Sequence, residues 1–114
     1  YETNCVVYTG THDNNTTRGW FENETSHEMQ SRLAQYTGKQ ADVNSVHWDL
    51  IRLAMSSVAD MAIIPMQDVL GLGQECRMNT PSTSEGNWRW RMRWEQLNDE
   101  NTGQLRHLTR VFGR

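Results

Sequence analysis

The 114-residue chain has no apolar stretch long enough to span a bilayer and no signal-peptide pattern at its start. The expectation is a soluble, cytoplasmic protein with no membrane partner. It lacks an excess of positive charge: 11 basic residues stand against 14 acidic ones, for a net charge of −3. That leaves no global field to attract nucleic acid or anionic lipid. Cysteine is scarce, and Cys5 and Cys76 have neither a CxxC nor a Cys/His ligand spacing, so reduced thiols are expected rather than a disulfide or zinc site. The histidines at 12, 27, 47 and 107 form no HExxH and no i, i+4 pair, which argues against any metal. Apolar residues are few as well. At 36% they fall below the roughly 45–50% of an ordinary globular domain even when glycine is allowed for, and the mean hydropathy is −0.79. With no internal repeat and no low-complexity linker, one modest core is the ceiling, and a chain of this size buries about two thirds of its unfolded surface.

What is present argues for order. Five tryptophans are foreign to disordered sequence, and each carries a large apolar area. Tyr1 stands first in place of Met and leads almost directly into a strand, so a beginning inside a larger protein is expected, with stability shared with sequence outside the chain.

Periodicity lays out the elements. Residues 4 to 9, with Cys5-Val6-Val7-Tyr8, read as a strand. Thr16 to Phe21 read as a short helix or an irregular loop, with Gly19 against the helix. Thr25 or Ser26 can cap a helix to about Tyr36, with Glu28 in its first turn and Thr37-Gly38 as its stop. Ser45 caps a stronger helix, in which Val46, Leu50, Leu53 and Ser57 form one row and Trp48, Ile51, Met55 and Val58 the next. Met61 to Met66 is a continuous apolar run suited to a strand buried on both faces, with Pro65 near its end. Asp68 is placed to cap one helical turn, Arg77 to Gly86 read as a long loop, and Gly103 to about Arg110 form a last helix, with Leu105, Leu108 and Val111 on one side. Apolar strands alternating with amphipathic helices imply an α/β fold with a parallel sheet and right-handed crossovers, part of an open sheet or of a barrel.

Polar residues gather after each strand. His12 and Asp13 follow the first one through Thr9-Gly10-Thr11, where an α/β protein presents catalytic groups, although an Asx-turn aspartate and a surface histidine fit the same spacing. Asn14 and Asn15 add amide donors and acceptors next door, a density suited to sugar hydroxyls. Gln67 and Asp68 follow the second strand, where Asp13 and Asp68 together could make an acid/base pair, but the cap preference of aspartate favours a structural Asp68. Gly71-Leu72-Gly73 is half a dinucleotide fingerprint, with Cys76 at the third glycine, and is rejected as a nucleotide site. From Trp88 to Trp94 aromatic or apolar residues and arginines alternate strictly. That pattern fits a stacking platform for nucleic acid or sugar rings, or an aromatic seam on the body with solvated arginines, and the acidic balance of the chain favours the seam.

The stretches VVYTGTHDNNTTRGW and IIPMQDVLGLGQECRMNTPSTSEGNWRWR, with the ending LTRVFGR, closely resemble the C-terminal part of bacterial and plastid 4-α-glucanotransferases, the amylomaltase or disproportionating-enzyme group of the α-amylase clan. The resemblance implies a fragment, residues 1–114 being the last two parallel strands of a (β/α)8 TIM barrel with their helices and no separate second domain. It implies an α-1,4-glucan or maltooligosaccharide substrate and no cofactor. It makes Asp13 the transition-state stabiliser and His12 a ligand of the transferred sugar's hydroxyls, and it puts the nucleophilic aspartate and the acid/base glutamate upstream of Tyr1, so that the fragment alone is inactive. Gln67, Asp68, Arg77 and Asn79 match the motif after the last strand and are expected to order the cleft rim. Asn14, Gln67, Asp68 and Asn79 join His12 as the substrate-binding candidates. Ser82 departs from the pattern, standing where the family commonly has the glycine of NTPGT. The alternative, from another class, is a non-catalytic module that self-associates through its aromatic-arginine strip and exposed strand edges.

Overall fold

The computed structural model describes residues 3–114, so the reading of Tyr1 lies outside the described residues. In chain order come β1 (Val6–Tyr8), α1 (Thr17–Asn23), α2 (His27–Thr37), α3 (Val46–Ser56), β2 (Met61–Ile63), α4 (Met66–Val69) and α5 (Asp99–Val111), with single 3₁₀ turns at Gln74–Cys76 and Trp94–Gln96. The two strands pair in parallel, Val6 opposite Met61, Val7 opposite Ala62 and Tyr8 opposite Ile63. Both are shorter than the runs 4–9 and 61–66. At the second, Pro65 sits immediately before α4 and has no N–H to offer a ladder.

Helix boundaries follow the caps. Residues 16 to 21 resolve into a helix because the Thr16 hydroxyl accepts from Gly19 N at 3.0 Å. Gly19 leaves room for the Asn15 amide and the Thr16 hydroxyl, which a methyl group there would displace. Ser26 caps α2 through Met29 N, and Gly38 closes it in the left-handed conformation at φ 81°. Ser45 does not cap α3 as expected. Its backbone is not extended and its side chain makes no cap bond; the chain turns in through the Asp42 carbonyl, which accepts from Ser45 N and Val46 N. Asp68 does not cap the turn after it either, because it already lies inside α4. The last helix begins at Asp99, ahead of Gly103. A reciprocal Asn98–Asn101 pair closes its start, with asparagine in the place usually held by Glu or Gln.

The long amphipathic helix α3 is the spine, touching α1, α4 and α5. Its Val46 packs with Phe21 and Ala41, while its Ile51 and Met55 pack with Leu108 of α5 beneath Ala62 and Ile64. Phe112 fills the place expected of Val111, which is exposed. Arg114 reaches back over the end of α3, its guanidinium donating to the carbonyls of Met55 (2.8 Å), Ser57 (3.0 Å) and Ala59 (2.8 Å).

The second strand is not buried on both faces. Val7 and Ala62 are half-buried on the helix side, but Val6, Tyr8, Met61 and Ile63 share the other face and are 42–54% exposed. The molecule is correspondingly open. Its radius of gyration is 14.5 Å, against about 13 Å for a compact domain of this length. Its accessible surface of 7784 Å² exceeds the roughly 6,500 Å² typical of a monomer of its mass.

Candidate functional site

The loop after β1 is built as a tight turn. Asn14 N donates to Thr11 O at 3.1 Å, and the Asn14 carboxamide oxygen accepts from Thr11 N (2.7 Å) and Thr11 Oγ1 (3.0 Å). That turn thrusts His12 and Asp13 outward, both 55% exposed, with His12 Nε2 3.2 Å from Asp13 Oδ2. A second latch arrives from beyond β2. Asn79 Nδ2 donates to Asp13 Oδ1 at 2.7 Å, and Arg77 donates to the Asp13 carbonyl and to the Asn79 carbonyl, both at 2.8 Å. One carboxylate oxygen is thus fixed by an amide while the other faces an imidazole, and the group stays open to solvent.

The loop after β2 does the reverse. Asp68 is only 2% exposed, and its carboxylate accepts from Thr17 N (2.8 Å), Thr17 Oγ1 (2.8 Å) and Thr9 Oγ1 (2.7 Å). It holds the first amide of α1, where an anion suits the orphaned N–H groups and the helix dipole. It also ties the end of β1 to the start of α1, clamping both roots of the loop that carries His12 and Asp13. Gln67, 8% exposed, donates to Cys76 O at 3.2 Å and fixes the 3₁₀ turn that leads to Arg77.

Between the two strand ends lies an open cleft of about 470 Å³, lined among others by Tyr8, His12, Asn14, Gln67, Asp68 and Trp88. The structure therefore gathers His12, Asn14, Gln67 and Asp68 on one cleft; Asp13 and Asn79 do not line it, but are bonded to each other next to residues that do. It also brings in Trp88, whose ring centroid is 5.0 Å from that of His12 at a 37° tilt. Sequence reasoning placed Trp88 in an alternating strip and missed this contact. The strip is not a strand: Trp90 and Met92 are half-buried, whereas Trp88, Trp94 and the arginines are exposed. Ahead of it, loop 80–87 is braced by Asn87, whose Oδ1 accepts from Thr80 N at 2.9 Å and whose Nδ2 donates to Thr83 O at 3.2 Å. Ser82 in that loop has φ 67°, the left-handed region that glycine occupies without cost. The backbone there is thus the one a glycine serves, whatever the side chain.

His47 lies beneath the β2 end, 7% exposed, with Nδ1 lacking a hydrogen-bond partner among the described residues. Gly71 rides directly over its ring at φ 67°, and a Cβ there would come within 2.8 Å of His47 Cε1. Burial pushes the His47 imidazole below its ordinary value, an effect opposed by the nearby Asp68 and Asp49 charges and assisted by Arg18. No group of three or more His, Cys, Asp or Glu side chains able to hold a metal comes together among the described residues.

These observations define an α/β segment that collects its polar side chains around an open cleft at the carboxyl ends of two parallel strands. The chain belongs to the 4-α-glucanotransferase family, whose model matches residues 1–98. It is 54% identical over 111 residues to the 4-α-glucanotransferase of Synechocystis sp., covering 97% of this chain and 22% of that protein. To the enzyme of Clostridium butyricum it is 46% identical over 114 residues, covering 100% of this chain and 23% of the relative. Its fold matches amylomaltase from Streptococcus agalactiae in complex with acarbose at a TM-score of 0.92 and 35% identity, over 100% of this chain and 23% of that one. The chain thus spans about a fifth of the length of these relatives.

Proposed function

We propose that residues 1–114 form the C-terminal part of the catalytic barrel of a 4-α-glucanotransferase, its last two strands with their helices, acting on α-1,4-glucans by a retaining transfer. The observation that carries this reading is the exposed His12–Asp13 pair beyond the end of β1, its aspartate held by Asn79 and Arg77 and its histidine lining the cleft. The exposed apolar face of Val6, Tyr8, Met61 and Ile63 supports a sheet that continues into further strands.

The chemistry suits the geometry. Breaking a glycosidic bond passes through an oxocarbenium-like state, and hydrogen bonds to ring hydroxyls that tighten at that state contribute several kcal/mol. The Asp13 carboxylate accepts from such hydroxyls and opposes the developing positive charge, while the His12 imidazole offers a neighbouring polar contact. Asn14, Gln67 and Asn79 complete the rim that meets the sugar, and Asp68 acts on it by holding the loop. The nucleophile and acid/base belong to the rest of the barrel in this reading, so the 114-residue chain alone transfers no glucan.

Asp13→Asn in the complete enzyme tests it. Turnover should fall by about a thousandfold with KM little changed, as for a group that binds mainly the transition state. A raised KM with turnover intact would overturn the assignment, and so would maltotriose disproportionation by the purified 114-residue chain. A second reading, a self-associating module, draws on the same exposed sheet face. A symmetric oligomer of stable mass by size exclusion with light scattering would favour it.

A further inference from the structure

Trp88 is the one bulky residue among those described that combines a left-handed backbone, φ 61°, with a side chain more than half exposed. A tryptophan in that conformation is strained, and strain of this kind persists only where surrounding bonds over-determine it. They do so here. Trp88 N donates to Met78 O at 2.6 Å, closing the loop at its neck, and Asn87 ties the same loop to Thr80 and Thr83 from inside. Nothing in this bracing uses the indole. The residue instead lines the cleft, with its ring against the His12 imidazole at 5.0 Å.

A pyranose presents apolar C–H faces and a polar equatorial girdle, so a site for it needs an aromatic plane as well as hydrogen-bonding groups. His12 and Asn14 supply the second requirement on one side of the cleft, with the Asp13 carboxylate 3.2 Å behind the His12 imidazole. We propose that Trp88 supplies the first: it is the stacking wall for the glucosyl ring that His12 and Asp13 address, and its contact with His12 keeps the imidazole turned toward Asp13. This rests on the glucan-transfer reading of the cleft.

The strain makes the test sharp, because glycine relieves it. In the complete enzyme carrying this segment, Trp88→Gly should leave the melting temperature unchanged or raised while kcat/KM for maltooligosaccharides falls about tenfold or more, the scale of a lost aromatic contact. Trp88→Phe should recover most of that loss. A merely structural tryptophan predicts the opposite pattern, a lower melting temperature with kcat/KM unaltered per folded molecule, and that result would overturn the proposal. His12→Gln and Asp13→Asn separate the two levels of inference. If these leave transfer intact, the reading of the cleft itself fails; if they abolish it while Trp88→Gly and Trp88→Phe behave as the parent, only the role of Trp88 fails.

Discussion

The two strand ends carry the same local message and put it to opposite uses. After β1 comes His12-Asp13 and after β2 comes Gln67-Asp68, in each case a polar residue followed by an aspartate at the carboxyl end of a parallel strand. Asp13 is 55% exposed and braced on one oxygen, whereas Asp68 is 2% exposed and saturated by Thr9 and Thr17. What separates them is the supply of neighbouring donors. Two threonines and a helix start converge on Asp68 and consume its charge in holding the backbone, while Asp13 meets a single amide and keeps capacity for something from outside.

The contrast breaks most clearly at Asp68. Replacing it by alanine leaves a helix start and two hydroxyls without their charged acceptor, so urea unfolding should show a loss of about 3 kcal/mol, against less than about 0.5 kcal/mol for Asp13→Ala. Similar losses at both sites would erase the distinction. Asn79→Ala sharpens it from the other side: in the complete enzyme of the proposed reading, freeing one oxygen of Asp13 should cost turnover about tenfold, or about 1.4 kcal/mol at the barrier, with unfolding almost unchanged. The neighbourhood of Asp68 also makes a pH prediction through His47. Its folded value is depressed, so below the ordinary 6.5 the unfolded chain takes up a proton that the folded one refuses. Stability should therefore be full above that value and decline as pH falls toward the folded value, by at most about 1.4 kcal/mol per pH unit, and His47→Gln should flatten the profile. The smallest effect belongs to the rim: Ser82→Gly relieves a positive φ and should raise stability by about 0.5–1 kcal/mol in the same unfolding assay.

Much of this was legible in order and type. The parallel strands, the three long helices and the cluster at 12–14 follow from periodicity, caps and glycine stops, which are local signals. Fates decided at long range were not. Nothing in the spacing of Asp68 announces Thr17, 51 positions earlier in sequence, as the donor that buries it. Nor does the alternation from Trp88 to Trp94 reveal that one indole turns back onto His12, since Ser82 and Trp88 adopt positive φ angles that their side-chain types do not announce. The apolar run at 61–66 reads as buried on both faces because hydrophobicity gives a strand's composition and not its neighbours, and nothing among the described residues covers Met61 and Ile63.

The grip of Arg114 on the carbonyls of Met55, Ser57 and Ala59 makes its guanidinium a fastener for the α3–β2 corner. Replacing Arg114 by alanine would strand those acceptors at the root of the strand that leads to the cleft, so a side chain far from the chemistry helps to set the floor on which the cleft stands.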